Sequence, residues 1–205
     1  MANEAIEVGL QTRAQIVDED DLLVAAAGAD TQAAGRLYDK YYEAIFGYIY
    51  RSTLDRTTAE DLTSNVFFAA FRHLRRPRWR PMRFQAWLYR IATNEVRMHY
   101  RKARRSRAFR TEARGSEIAV SPPASDKSVA SEEYRLLHEA LVRLKPKYRN
   151  AIVLRYFEGK TMAEISEITG YKQGTLRCQL HRGLAQLQDI LLRYGVLPHQ
   201  GETKP

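Results

Sequence analysis

The chain has 205 residues, 44% of them apolar, a formal charge of +9 and a single cysteine, Cys178. No apolar run reaches the roughly 18 residues that cross a bilayer, and the acidic start (Glu4, Glu7, Asp18 to Asp21) lacks a signal peptide's basic-then-apolar order, so a cytoplasmic chain with no membrane insertion is expected. One cysteine excludes an internal disulfide and five scattered histidines offer no pair at zinc-ligand spacing, so neither a metal nor another cofactor is expected.

The charge is unevenly placed. Residues 1–71 hold five bases and twelve acids, residues 72–110 hold fourteen bases and one acid, Glu95, and residues 111–205 hold fourteen bases and eleven acids. A band of one sign attracts polyanions by releasing their counterions, and nucleic acid is the polyanion it suits. A merely solvated face is the bland alternative, but solubility alone does not concentrate one sign.

After an N-terminal tail, 1–19, the segment 20–103 reads as a domain of about four helices, because apolar residues recur at helical spacing in Leu37, Tyr41, Ile45 and Tyr48. Thr57 and Glu60 predict a capping box at a helix start, followed by a buried stripe of Leu62, Val66 and either Ala69 or Ala70. Pro77 and Pro81 hold the basic stretch 75–83 out of a helix and leave Trp79 open between core packing and a platform for an unstacked base. From Phe84 to Arg101 one stripe carries Trp87, Ile91 and Met98 and another carries Arg90, Asn94, Arg97 and Arg101. Asn94 both donates and accepts, so it can meet a base edge where the arginines mainly meet phosphate.

The stretch 104–131 is poor in large apolar residues, contains Pro122-Pro123 and reads as a flexible linker. Its 28 residues would average roughly 30 Å end to end and reach at most about 90 Å. A second small helical domain, 132–194, resumes with Leu136, Leu137, Leu141 and Leu144, breaks at Pro146, and precedes a C-terminal tail, 195–205. Within it Thr161 to Glu164 predicts a capping box, Gly170 a helix stop, and Leu176, Leu180, Leu184 and Leu187 an apolar stripe on the next helix. A short helix, a turn and a long helix make a helix-turn-helix, whose second helix enters the major groove. Cys178, His181, Arg182 and Ala185 then point outward as candidate base readers, with Arg182 foremost because a guanidinium pairs bidentately with guanine, while Lys172, Thr175, Arg177 and Gln179 suit phosphate. An ordinary two-helix packing unit with solvated arginines is the alternative. The fold class expected is all-α, two small domains joined by the linker, the second containing the helix-turn-helix.

Three segments together resemble the extracytoplasmic-function sigma factors of RNA polymerase, over about Asp20 to Leu192: Ala59 to Phe67, Phe84 to Asn94, and Gly174 to Gly183. The resemblance implies that residues 20–103 are sigma region 2 and 132–194 sigma region 4. It implies core RNA polymerase as partner, with Asp61, Leu62, Asn65 and Phe68 on the clamp helices of the largest subunit and region 4 on the flap of the second largest. It further implies promoter DNA, with Trp79 and Asn94 capturing a flipped minus-ten base beside Arg90, Arg97 and Arg101, region 4 reading the minus-thirty-five element, and an anti-sigma factor as inhibitor. Ser64 and Asn65 replace the family's usual glutamine and acid, and Cys178, Gln179 and Gly183 its serine, arginine and alanine.

Two other classes compete. A duplex-only repressor or activator has no evident need for the basic loop and Asn94 helix of the first domain. A nuclease needs a carboxylate cluster or a partnered histidine, and neither is legible, so no catalytic residues are expected.

Overall fold

The structure is a computed structural model and describes residues 19–76, 83–113 and 132–196. Those residues form α1 (Glu19–Ala26), α2 (Thr31–Thr53), α3 (Arg56–Leu74), α4 (Phe84–Ala113), α5 (Glu132–Arg143), α6 (Pro146–Ile152), a π-helical turn (Val153–Phe157), α7 (Met162–Thr169) and α8 (Gln173–Arg193). There is no strand among them.

Local chemistry sets the ends. Asp30 caps α2 by accepting from the Gln32 amide at 2.8 Å, and Leu54 ends it in the left-handed conformation at φ 55°. The expected capping box at Thr57 is not what starts α3. Asp55 is the cap, accepting from the Thr58 amide at 3.3 Å and from the Thr58 hydroxyl. An extended-backbone aspartate just before the helix offers its carboxylate to the free amides, leaving Thr57 inside the first turn. The box at Thr161 forms as expected, with the Thr161 amide donating to Glu164 Oε2 at 2.8 Å and the Glu164 amide to Thr161 Oγ1 at 3.3 Å. Gly170 ends α7 at φ 75°.

Leu37, Tyr41, Ile45 and Tyr48 are all buried along α2, and Leu62, Val66 and Ala70 along α3. Phe84, Leu88, Ala92 and Val96 complete that core from α4, with Trp87 half-buried against it. One expectation changes. Helix α4 continues to Ala113 and so occupies the first ten of the 28 residues read as linker, since Lys, Arg and Ala are good helix formers without being good core formers. The two units also do not keep separate cores. Val153, Leu154, Ile165, Ile168 and Leu176 join the same cluster as the N-terminal helices, while Ala140, Leu141, Leu144, Ile152, Leu180, Leu187 and Leu191 form a smaller one.

At this junction α5 sets His138 among Tyr50, Tyr134 and Phe157, with ring centroids 6.3, 4.2 and 6.2 Å away. The imidazole is buried, and its Nε2 has no hydrogen-bond partner among the described residues. Burial first, and the positive Arg51 second, push its pKa down to about 4. The unfolded chain therefore takes up this proton near pH 6.5 and the folded chain only near 4, so stability present at neutral pH is lost as pH falls between those values. The expected loss is on the order of 3 kcal/mol. Urea unfolding at pH 7 and pH 4.5 measures it, and His138→Phe should flatten the difference.

Candidate nucleic-acid interface

Helix α4 carries the first polar surface. Arg90, Asn94 and Arg101 are exposed and recur at i, i+4 and i+11, so they share one face of the helix. Arg97, expected among them, is half-buried, and its guanidinium carbon lies 5.7 Å from the Tyr171 ring centroid. Trp79, with the rest of 77–82, lies outside the described residues.

The second polar surface belongs to α8. Lys172, Thr175, Arg177, Cys178, His181 and Arg182 are all exposed, as expected. Gln179 is not. It is 7% exposed, and Leu184, expected in the buried stripe, is 38% exposed. The buried positions are Leu176, Gln179, Leu180, Gly183, Leu187 and Leu191, so the inward face is turned about 30° from a stripe centred on the leucines alone. Gly183 lies on this inward face, where a Cβ would lie 3.0 Å from Ile152 Cδ1 and 3.1 Å from Tyr148 Cβ. With Gln179 turned inward, Thr175, Cys178, Arg182 and Ala185 follow at i, i+3, i+7 and i+10 as the exposed face.

The third surface lies on α3, where Asp61, Asn65 and Phe68 are exposed at i, i+4 and i+7, Phe68 by 70%. Leu62, expected beside them, is a buried core residue. Asp61 and Asn65 border a groove of about 510 Å³ whose far side is Met98, Arg101 and Lys102 of α4. No group of three or more His, Cys, Asp or Glu residues suited to a metal occurs among the described residues.

Glu158 was not singled out from sequence. Its carboxylate accepts from Arg51 Nη1 at 2.8 Å and from the Tyr89 hydroxyl at 2.6 Å, joining the C-terminal helices to α2 and α4. Burial, then the bond to Glu158, pushes the Tyr89 hydroxyl above its ordinary pKa. Burial lifts Tyr48 to about 12. Tyr48 donates to Asn150 and shares a 2.9 Å hydrogen bond with Thr93.

The family model described as Sigma-70 region 2 matches residues 37–106, and that described as Sigma-70, region 4 matches 134–187. The extracytoplasmic-function RNA polymerase sigma factor BldN of Streptomyces coelicolor is 31% identical over 175 residues, 83% of this chain and 65% of BldN. This chain thus spans just under two thirds of that relative. The RNA polymerase sigma factor CarQ of Myxococcus xanthus is 32% identical over 157 residues, 76% of this chain and 87% of CarQ. Among solved structures, CnrH in complex with the cytosolic domain of CnrY matches with a TM-score of 0.64 at 24% identity, covering 86% of this chain and 99% of that one, a likeness of fold.

If Arg177 grips phosphate, Arg177→Ala should weaken binding of the chain to unrelated duplexes equally and reduce the slope of log affinity against log salt by about one. Fluorescence anisotropy across a potassium chloride series measures both. A loss confined to one sequence would instead make Arg177 a base reader.

Proposed function

We propose, from the premise that this chain belongs to the extracytoplasmic-function sigma factors of RNA polymerase, that it binds core polymerase and directs promoter-specific initiation. It does so in the cytoplasm, as an initiation factor without catalytic residues of its own. The carrying observation is that one chain presents an Asn-bearing basic stripe on the region 2 match and an exposed recognition face on the region 4 match.

The roles divide by chemistry. Asp61, Asn65 and Phe68 form a polar-and-aromatic stripe that suits the clamp helices of polymerase, while Leu62 supports it from the core. Asn94 captures a base unstacked from the minus-ten element, aided by Trp79. Arg90, Arg97 and Arg101 hold the neighbouring phosphates, offsetting an extrusion cost of a few kcal/mol. Region 4 rests on the polymerase flap and reads the minus-thirty-five duplex through Arg182, with Thr175, Cys178 and His181 beside it and Lys172 and Arg177 on the backbone. An anti-sigma protein is a natural inhibitor, and the solved sigma factor RpoE of Bartonella quintana, a fold neighbour with a TM-score of 0.59, was captured with its anti-sigma factor NepR.

Transcription with added core polymerase from a genomic promoter library tests the whole reading, and failure to start RNA at any promoter removes it. Asn94→Ala should lower open-complex formation, read by permanganate footprinting, while leaving polymerase affinity unchanged. Equal loss of both would remove this division of labour. Arg182→Ala should cost about 1–3 kcal/mol of discrimination at one minus-thirty-five position, read from affinities for a set of single-base variants. An unchanged base preference would assign the reading to another side chain.

A further inference from the structure

Helix α4 outlasts the core that it serves. Among the described residues Tyr100 is the last of its side chains to pack on the N-terminal core, yet the helix runs on to Ala113. Residues 101–110 hold six bases and no acid. Of these Arg101, Lys102 and Arg105 are exposed. Arg105 follows Arg90, Asn94 and Arg101 at helical spacing, so all four lie within about 60° of arc on a line about 22 Å long. Lys102 flanks that line.

The bases on this line are uncommitted. Arg51, Arg56, Arg83 and Arg135 each pair with a glutamate, whereas no ion pair holds Arg90, Arg101, Lys102 or Arg105 among the described residues. Their spacing also works against the helix. Arg101 and Arg105 are like charges one turn apart, and Lys102 lies three residues before Arg105, so each pair weakens α4 slightly. A polyanion laid along the line removes that repulsion and releases its own counterions. From Asn94 to Arg105 is about 17 Å of helix, the rise of roughly five base pairs.

The direction follows from the chain. Only 18 residues, 114–131, separate α4 from α5, and fully extended they reach at most about 65 Å. Elements centred about 25 base pairs apart are separated by roughly 85 Å of duplex. The shortfall is covered when α4 itself points from the minus-ten element toward the minus-thirty-five element, which brings Arg105 beside duplex rather than beside the melted strand.

We propose that Lys102 and Arg105, on the α4 extension, form a phosphate grip for the duplex immediately upstream of the minus-ten element. Phosphate contacts fix register, so the grip sets which base reaches Asn94. Its place on a promoter rests on the initiation-factor reading above; the grip on duplex does not.

The test uses full-length Lys102→Ala/Arg105→Ala, because alanine favours the helix, with circular dichroism to verify that helix content is retained. Binding of the free chain to a short unrelated duplex should weaken on the order of tenfold, with the slope of log affinity against log salt reduced by about two. Fluorescence anisotropy across a potassium chloride series reads both, and Arg105→Lys should bind as the unaltered chain does. With core polymerase added, two fork-junction probes of one active promoter should separate, both lacking the minus-thirty-five element. The double variant should lose affinity for the fork with a long upstream duplex and match the unaltered chain on the fork cut back to the minus-ten edge. Lys102 and Arg105 also border the groove opposite Asp61 and Asn65, so a polymerase contact is the rival role. Unchanged duplex affinity and salt slope overturn the grip, and lost core affinity in their place assigns these residues to polymerase. Equal loss on both forks overturns the upstream position. If the unaltered protein is silent at every promoter, the initiation reading fails instead, and the salt series still decides the grip.

Discussion

Helix α4 has to satisfy three neighbours with 3.6 residues per turn. Leu88, Ala92 and Val96 are buried in the core it shares with α2 and α3. Tyr89, Thr93 and Tyr100 lie on the edge that meets Asn150, Glu158 and Arg149. Arg90, Asn94 and Arg101 remain for solvent and, in the proposed role, for DNA. Residues at i and i+4 stay on one face, whereas i+1 moves about 100° around, so neighbours such as Leu88, Tyr89 and Arg90 are assigned to different surfaces by geometry alone. A shift of one residue in any of these assignments would put an arginine in the core or Leu88 in water.

The junction between the units mixes two kinds of interaction. Val153, Leu154, Ile165, Ile168 and Leu176 supply apolar burial, which stabilises without specifying an orientation. Glu158, Arg51, Tyr89, Tyr48, Asn150 and Thr93 supply directional bonds that specify one docking geometry. A wholly apolar junction would be a permanent core. Paired charges cost desolvation when packed, so the mixed junction stabilises the packing less than an apolar one of equal area.

Helix periodicity was legible wherever the period itself carried the signal. The stripe Leu37, Tyr41, Ile45 and Tyr48, the capping box at Thr161 and the stop at Gly170 could all be read from residue types at fixed offsets. The cap at Asp55 was missed because Thr57 and Glu60 imitate a capping box three residues apart, and only backbone conformation separates the two. The length of α4 was missed because Arg- and Ala-rich sequence lacks the apolar residues that announce a packed helix while still favouring the helical backbone. The exposure of Lys172, Thr175, Arg177, Cys178, His181 and Arg182 was legible, as was that of Arg90, Asn94 and Arg101, whereas the burial of Gln179 and the half-burial of Arg97 were not. Glu158 was not, since its partners Arg51 and Tyr89 lie 107 and 69 residues away and no local pattern marks a long-range carboxylate bridge.

Gly183 shows how packing reaches into base reading. The missing side chain lets α8 settle against Ile152 and Tyr148, at a separation where even a methyl group would press on both. On the helix so placed, Gln179 faces the interior and Leu184 faces outward. What remains outward is a narrow file of Thr175, Cys178, Arg182 and Ala185, flanked by Arg177 and His181. Thr175 and Cys178 are short and Ala185 has no polar group, whereas Arg182 alone in that file has the reach and the donor fork for a guanine edge. Of the departures from the family pattern, Gln179 and Gly183 thus lie on the packed face while Cys178 stays outward. With Gln179 buried, the proposed specificity is concentrated on Arg182.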